Sequence, residues 1–171
     1  MKIDLSEVIK DYGGRLAISA DVPMEDLTFL GETFSFDLPL HIEGSITNNT
    51  KSLELQAKVS GNAGVHCGRC MRPITIPVDF SIQETLVQNE ETVSDDADVV
   101  VFSGYSLDLM EIIINHFLMQ VPAKYLCKED CKGLCLKCGA DLNAGDCDCE
   151  EDIDPRWAAL AEIMKKTTDT E

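Results

Sequence analysis

Apolar and polar residues alternate through much of the first hundred positions. Leu16, Ile18, Ala20 and Val22 do so and predict a strand that Pro23 ends. Phe34, Phe36, Leu38, Leu40 and Ile42 alternate with Ser35, Asp37, Pro39, His41 and Glu43, which predicts the clearest strand. Pro39 on its polar face places that strand at a sheet edge. Asn48-Asn49-Thr50 reads as a turn, and Leu53, Leu55, Ala57 and Val59 as the next strand. Ile74, Ile76, Val78, Phe80 and Ile82 give a third. Leu5, Val8 and Ile9 form a short amphipathic piece, and MEDLTFLG predicts one turn of helix. The expectation is an antiparallel, mostly β body from about residue 15 to 102, closed by a short strand at 99–102.

Residues 84–98 carry six acids and no base, which predicts a solvated acidic loop. Beyond them the period changes. Ser106 is placed to cap a helix starting at Leu107, with Asp108 in its first turn. Leu109, Met110, Ile112, Ile113, Ile114, Phe117 and Leu118 leave that helix few polar positions, so most of its surface is expected to be buried, and Pro122 stops it. Asp154-Pro155 predicts a last helix with Trp157, Leu160, Ala161 and Met164 on one face. The fold class is therefore α+β: a β body over 1–104, then over 105–171 a buried helix, a Cys-rich module and a terminal helix.

Between these helices the pattern gives out. Residues 127–149 hold six of the chain's eight cysteines and too few apolar side chains for a core. The spacings are Cys67-x2-Cys70, Cys127-x3-Cys131, Cys135-x2-Cys138 and Cys147-x-Cys149. Paired thiols on tight turns suit tetrahedral zinc, and Gly139 after Cys138 lets backbone N–H groups approach sulfur. Eight thiols make two sets of four. The preferred assignment puts Cys135, Cys138, Cys147 and Cys149 on one Zn²⁺ ion, and Cys67, Cys70, Cys127 and Cys131 on a second that clamps body to module. The rival puts a single zinc on Cys127, Cys131, Cys135 and Cys138. The expectation is thus one or two zinc ions per chain. Iron–sulfur ligation is disfavoured, because the x3 and x1 spacings match no common cluster pattern.

Charge narrows the partners. With 14 Lys+Arg against 31 Asp+Glu, the formal net charge is −17 over 171 residues. That argues against a general DNA or RNA surface and against anionic lipid, and it fits a basic partner. No apolar run is long enough to cross a membrane, and the first residues, MKIDLSEVIKDYGG, have no signal-peptide character, so the expected location is the cytoplasm.

Catalytic patterns are missing. No GxGxxG, phosphate-binding loop, GxSxG or HExxH occurs. His41 is expected at solvent and His116 as a hydrogen-bonded boundary residue, while His66 beside Cys67 is a possible substitute ligand. Glu90-Glu91 and Asp95-Asp96 read as solvated. Arg69 and Arg72 flank the first cysteine pair, either to offset thiolate charge, the favoured role, or to meet a phosphate. Arg156 reads as exposed and Trp157 as packing. The pair Cys67-Gly68-Arg69-Cys70 matches a dithiol motif, but strand-like ITIPVDF follows it where a thioredoxin-like pair opens a helix.

Four segments in this order, VHCGRCMRPI, LDLMEIIINHFLMQVPAKYLC, CKEDCKGLCLKCGADLNAGDCDC and DPRWAALAEI, resemble the YceD family over about residues 66–166. The Cys-x-Arg-Cys element, the GLC-x-x-CG-x-x-LN run with its C-x-C, and the DPR-x-x-x-L ending carry the resemblance. It departs at Met71, where the family often has leucine, and at Leu136, where proline is common. Some members lack the GLC-x-x-CG module and keep the pair equivalent to Cys67 and Cys70, which suits an independent first site completed by Cys127 and Cys131. The resemblance implies a cytoplasmic, non-enzymatic factor for synthesis or accumulation of large-subunit ribosomal RNA and for ribosome assembly. For a chain of this charge, the favoured partner is a basic ribosomal protein or a large-subunit precursor. Direct RNA contact through Lys124, Lys128, Lys132 and Lys137 is the open alternative. A thiol oxidoreductase using Cys67 and Cys70 is the runner-up in another class, and a zinc-ribbon nucleic-acid regulator is disfavoured by charge.

Overall fold

The computed structural model describes residues 1–88, 99–122 and 124–149. Its elements in chain order are β1 (Lys2–Asp4), α1 (Ser6–Lys10), β2 (Arg15–Val22), β3 (Leu27–Phe29), β4 (Glu32–Phe34), β5 (Leu40–Asn48), β6 (Leu53–His66), β7 (Pro73–Gln88), β8 (Val100–Phe102), β9 (Ser106–Asp108) and α2 (Leu109–Gln120). A five-stranded sheet runs β2-β5-β6-β7-β8, and two small sheets pair β1 with β9 and β3 with β4. The architecture is a mostly antiparallel sheet with a helix and two cysteine clusters. One pair departs from the antiparallel expectation, since β8 lies parallel to β7.

Period-two patterning sets the sheet's two faces. Ile42, Ile46, Leu55, Val59, Phe80 and Ile82 point inward and are buried, while Glu43, Lys58 and Asp79 on alternate positions face solvent. Helix α2 covers the apolar face with Leu109, Ile112, Ile113 and Phe117. Its opposite side stays open at Glu111, Asn115 and Met119, so it is buried on one face only. Phe117 meets Phe34 edge-on at 5.2 Å and Phe36 at 5.5 Å.

Four expectations are corrected. The strand expected through Phe34–Ile42 is two strands with a bend between them. β5 is an interior strand hydrogen-bonded on both sides, and Pro39 has no N–H to give a ladder, so pairing starts one residue later and Leu38 is 68% exposed. MEDLTFLG forms no helical turn. It enters the β3–β4 hairpin, whose turn residues Leu30 and Gly31 both have positive φ, as two-residue hairpin turns favour. Ser106 does not cap the helix. It lies in β9, and Asp108 is the cap, accepting from the N–H of Met110 at 3.1 Å. The acidic loop begins later than expected, since 84–88 complete β7. Glu84 sits on the inner side of that strand, and its carboxylate accepts from His116 Nε2 at 2.7 Å. The remainder of that loop and the terminal helix with Arg156 and Trp157 lie outside the described residues.

The longest feature positions the cysteines. β6 and β7 pair over fourteen rungs, from Leu53↔Leu86 to His66↔Pro73, or about 45 Å at 3.3 Å per residue. β5 covers β6 only as far as Ser60. The remaining hairpin projects as an arm, steadied by the Ser35↔Gly64 bridge. A Cβ at Gly64 would meet Ser35 Oγ, so the serine would have to turn aside for any larger residue there. At the tip of the arm lies the first cysteine pair.

Candidate metal centres

Two groups of four thiols are assembled among the described residues: Cys67, Cys70, Cys127 and Cys131, and separately Cys135, Cys138, Cys147 and Cys149. Within each group all four sulfurs lie within 4.8 Å of one another. The grouping is the two-site arrangement. The rival set of Cys127, Cys131, Cys135 and Cys138 is not brought together.

The two knuckles are built alike. Cys67 N–H donates to Arg72 O at 2.9 Å and Met71 N–H to Cys67 O at 2.9 Å; Cys135 N–H donates to Ala140 O at 2.8 Å and Gly139 N–H to Cys135 O at 2.8 Å. In each, the residue after the second cysteine adopts a left-handed backbone, φ 58° at Met71 and 73° at Gly139. This turn aims backbone N–H groups at the first sulfur. At Cys67 burial raises the thiol pKa, but the N–H groups of Cys70, Arg69 and Cys127 outweigh it and hold it at about 6. At Cys135 the N–H groups of Cys138 and Lys137 and the neighbouring thiols bring it to about 6. The partners go the other way. Burial and three adjacent sulfurs push Cys127 up to about 12. The Cys138 sulfur, burial and the other two thiols push Cys149 up to about 12. Each cluster thus favours one thiolate and resists a second, a conflict that a central dication would resolve.

Sulfur spacing tests the fit. A tetrahedron with Zn–S arms of about 2.3 Å has edges of about 3.8 Å. Cys67 Sγ lies 3.8 Å from Cys131 Sγ, and Cys70 Sγ 3.6 Å from Cys127 Sγ. All eight cysteines are free thiols. The donor set is all sulfur and four-fold in both places, which fits zinc. The first centre is the more enclosed, with Cys67, Cys70 and Cys131 at 0%, 7% and 2% exposure. In the second, Cys138 is exposed and the others half-buried.

Several polar residues brace the centres. Arg69 Nη1 donates to Cys131 O at 2.8 Å, and Arg72 Nη2 meets Asp141 Oδ2 at 3.2 Å. Both arginines flanking the first pair are therefore engaged within the protein. Gly133, at φ 80°, lets residues 131–134 lie against the arm, with Leu134 N–H on Arg69 O at 3.1 Å. Sequence reasoning assigned no role to Asp141 or Asn143. Asn143 Nδ2 donates to Cys131 Sγ at 3.5 Å, and Asn143 Oδ1 accepts from Lys132 N–H at 2.9 Å. The visible signal was Asp-x-Asn between ligand pairs, since such residues bond to nearby backbone in turns. His41 is exposed and bonds Asp21 at 2.8 Å. His116 is a boundary residue, bonded to Glu84 and stacked on Phe80 with ring centres 6.4 Å apart. His66 is exposed and joins neither thiol group. Among the described residues, no helix is long and apolar enough to cross a membrane.

Comparison with known proteins covers the same region. An uncharacterized protein of Mycobacterium tuberculosis is 33% identical over 109 residues, which is 61% of this chain and 52% of that protein. The chain thus spans about half the length of that relative. Uncharacterized protein YlbN of Bacillus subtilis is 24% identical over 147 residues, 85% of this chain and 86% of its own. A protein of Arabidopsis thaliana named large ribosomal RNA subunit accumulation protein YCED homolog 1, chloroplastic, is 33% identical over 61 residues, 35% of this chain and 19% of that one. No solved structure matches. The family model described as large ribosomal RNA subunit accumulation protein YceD matches residues 55–164, which take in most of the projecting arm, α2 and both thiol centres. On that match the chain belongs to the YceD family.

Proposed function

We propose that this chain is a non-enzymatic cytoplasmic factor that supports accumulation of large-subunit ribosomal RNA through a basic ribosomal protein or a large-subunit precursor. Family membership supports the ribosomal part of the reading. The eight cysteines would hold two Zn²⁺ ions, which lock the Cys-rich module onto the tip of the β arm as a structural unit. The carrying observation is the pair of four-thiol groups at zinc-like spacing, with no catalytic constellation beside them among the described residues. A protein partner is favoured over bare RNA by the state of the basic side chains near the centres. Lys128 lies 3.7 Å from Asp130 and Lys132 3.6 Å from Asp146. Arg72 meets the Asp141 carboxylate, so three of the basic side chains near the centres are paired with acids.

One observation favours the oxidoreductase reading, the depressed Cys67 thiol. Yet Cys67 is fully buried, and its sulfur faces Cys131, not solvent. The functional test is sedimentation of a lysate through a sucrose gradient with the tagged chain followed by blot. Co-migration with large-subunit precursors, released by raised salt, is expected. A chain that stays at the top at every salt concentration and captures no ribosomal protein would overturn the reading. Native mass spectrometry should count two zinc ions per chain, and a count of one would sink the two-site model.

A further inference from the structure

We infer that the two thiol centres form one coupled metal unit, with Asn143 as the positioning residue through which loading the second centre tightens the first. The inference rests on the reading that both centres bind zinc. Asn143 belongs to the second centre's own loop, between Cys138 and Cys147, but its amide serves the first. Nδ2 donates to Cys131 Sγ at 3.5 Å and to Asp141 Oδ1 at 2.7 Å, while Oδ1 holds Lys132 N–H at 2.9 Å. Asp141 in turn accepts from Asn143 N–H at 2.9 Å and meets Arg72 at 3.2 Å, on the first knuckle. The carboxylate of Asp141 is held below its usual range by the N–H and amide of Asn143 and by Arg72. A continuous run of polar contacts therefore joins the second loop to the first centre's backbone and to one of its sulfurs.

The covalent link is equally short. Only three residues separate Cys131, the last ligand of the first group, from Cys135, the first of the second. Within that link, Gly133 O accepts from Leu142 N–H at 2.9 Å and Leu134 N–H donates to Arg69 O at 3.1 Å, so the three-residue link is tied both to the second centre's loop and to the first knuckle. An ion on Cys135, Cys138, Cys147 and Cys149 would fix the 139–147 loop and with it the Asn143 amide. A hydrogen bond to a ligating thiolate offsets part of its charge and orients it, so fixing that amide favours metal at the first centre. By linkage the first centre must then tighten the second by the same factor.

The test is a mutant cycle on the full chain. The wild type, a Cys138→Ser/Cys149→Ser chain, Asn143→Ala and their combination are loaded with Zn²⁺ and titrated with a chelator. First-centre retention is read by alkylation of the Cys67 and Cys70 peptide in mass spectrometry. Emptying the second centre should weaken the first about 10–100-fold, the usual scale for a lost outer partner of a ligand, and Asn143→Ala should do the same. The combination should add less than about threefold, because both changes remove one interaction. If Asn143→Ala fails to hold the module, Asn143→Gln shifts the amide by one methylene and enters the same cycle. First-centre retention within twofold of wild type in the Cys138→Ser/Cys149→Ser chain overturns the inference. So do losses that multiply in the combination, since that means the second centre does not act through Asn143. A wild-type chain that takes up no Co²⁺ with thiolate-to-metal absorption overturns the metal reading itself, and that outcome is distinct from two independent sites.

Discussion

Gly133→Ala should loosen the first centre far more than Gly139→Ala, although both glycines sit in the same backbone region. Gly133 has φ 80° and Gly139 φ 73°. Placing alanine in either costs about 1–2 kcal/mol from the left-handed conformation alone. Only Gly133 also faces a neighbour. A Cβ there would lie 3.0 Å from Arg69 O and 3.3 Å from Arg69 Cβ, whereas at Gly139 nothing lies within 4 Å. To relieve that contact residues 131–134 must retreat from the arm. The retreat stretches the Leu134-to-Arg69 bond of 3.1 Å and the Arg69-to-Cys131 bond of 2.8 Å. One neutral and one charge-assisted bond, weakened by about half each, add about 1–2 kcal/mol. The expected totals are about 2–4 kcal/mol for Gly133→Ala against about 1–2 for Gly139→Ala. In chelator competition on the zinc-loaded full chain, the difference is about 5–30-fold in retention of the first centre. The assay compares alkylation of the Cys67 and Cys70 peptide in the two variants at each chelator concentration. Equal losses, within twofold, would show that the close approach at Gly133 carries no weight and that only its φ matters.

Phe117→Ala removes a ring that is 3% exposed and touches Phe34 and Phe36. It should cost about 3–5 kcal/mol, read as a fall in Tm of about 6–20 °C. Metal removal should abolish hydrogen-exchange protection at 67–72 and 124–149 while β2, β5 and the inner part of β6 keep theirs. Among the described residues the apolar company of the first thiols is Leu126 and Leu134, whereas the sheet has its own core. Acid should act below neutrality. Cys67 and Cys135 are lowered from 9.0 to about 6, so their contribution to stability is complete above pH 9 and lost as pH falls through 6. Protons and Zn²⁺ compete for the same thiolates, so zinc retention should fall as the pH is lowered, and retention unchanged down to about pH 4 would contradict the assignment. Met71→Gly should stabilise the first knuckle by about 0.5–1 kcal/mol, the left-handed cost at φ 58° less the extra freedom glycine gives the unfolded chain. Its measure is a rise of about 1–4 °C in Tm of the zinc-loaded chain.

The strands were legible where one face alone is buried. Leu53 to Val59 and Ile74 to Ile82 alternate because their odd and even positions meet different media, and β6 and β7 lie there. Alternation misled at Phe34 to Ile42. It reports which side chains prefer oil and is blind to the missing N–H of Pro39, which ends pairing where the pattern continues. The helix start was missed by two residues for a similar reason. Ser106 and Asp108 are both good caps, and the choice between them is made by β1 arriving from the other end of the chain. Thiol spacing pointed to the two groups of four, since four short pairs on tight turns have few ways to meet. The braces between the groups were not legible, because Asn143 acts on Cys131 across the fold of a loop and neither residue type nor spacing states that contact.

Charge, weighed on the structure, bears on which partner the molecule can hold. The stretches 67–72 and 124–149 contain six of the 14 basic residues and five of the 31 acids, so on bare counting they are slightly basic within an acidic chain. That count favours RNA contact only if the cysteines are ignored. Eight thiolates on two zinc ions add a charge of −4, which turns the local balance to about −3. A zinc-loaded module is then no exception to the acidic body but continuous with it. RNA binding draws its affinity from cations that displace counterions, and two of the module's four lysines already face a carboxylate within 3.7 Å. A basic protein gains from every part of such a surface. Zinc held as proposed would therefore also select against bare RNA. On the two-zinc reading, a metal-free chain tested for RNA binding would be tested with the wrong charge.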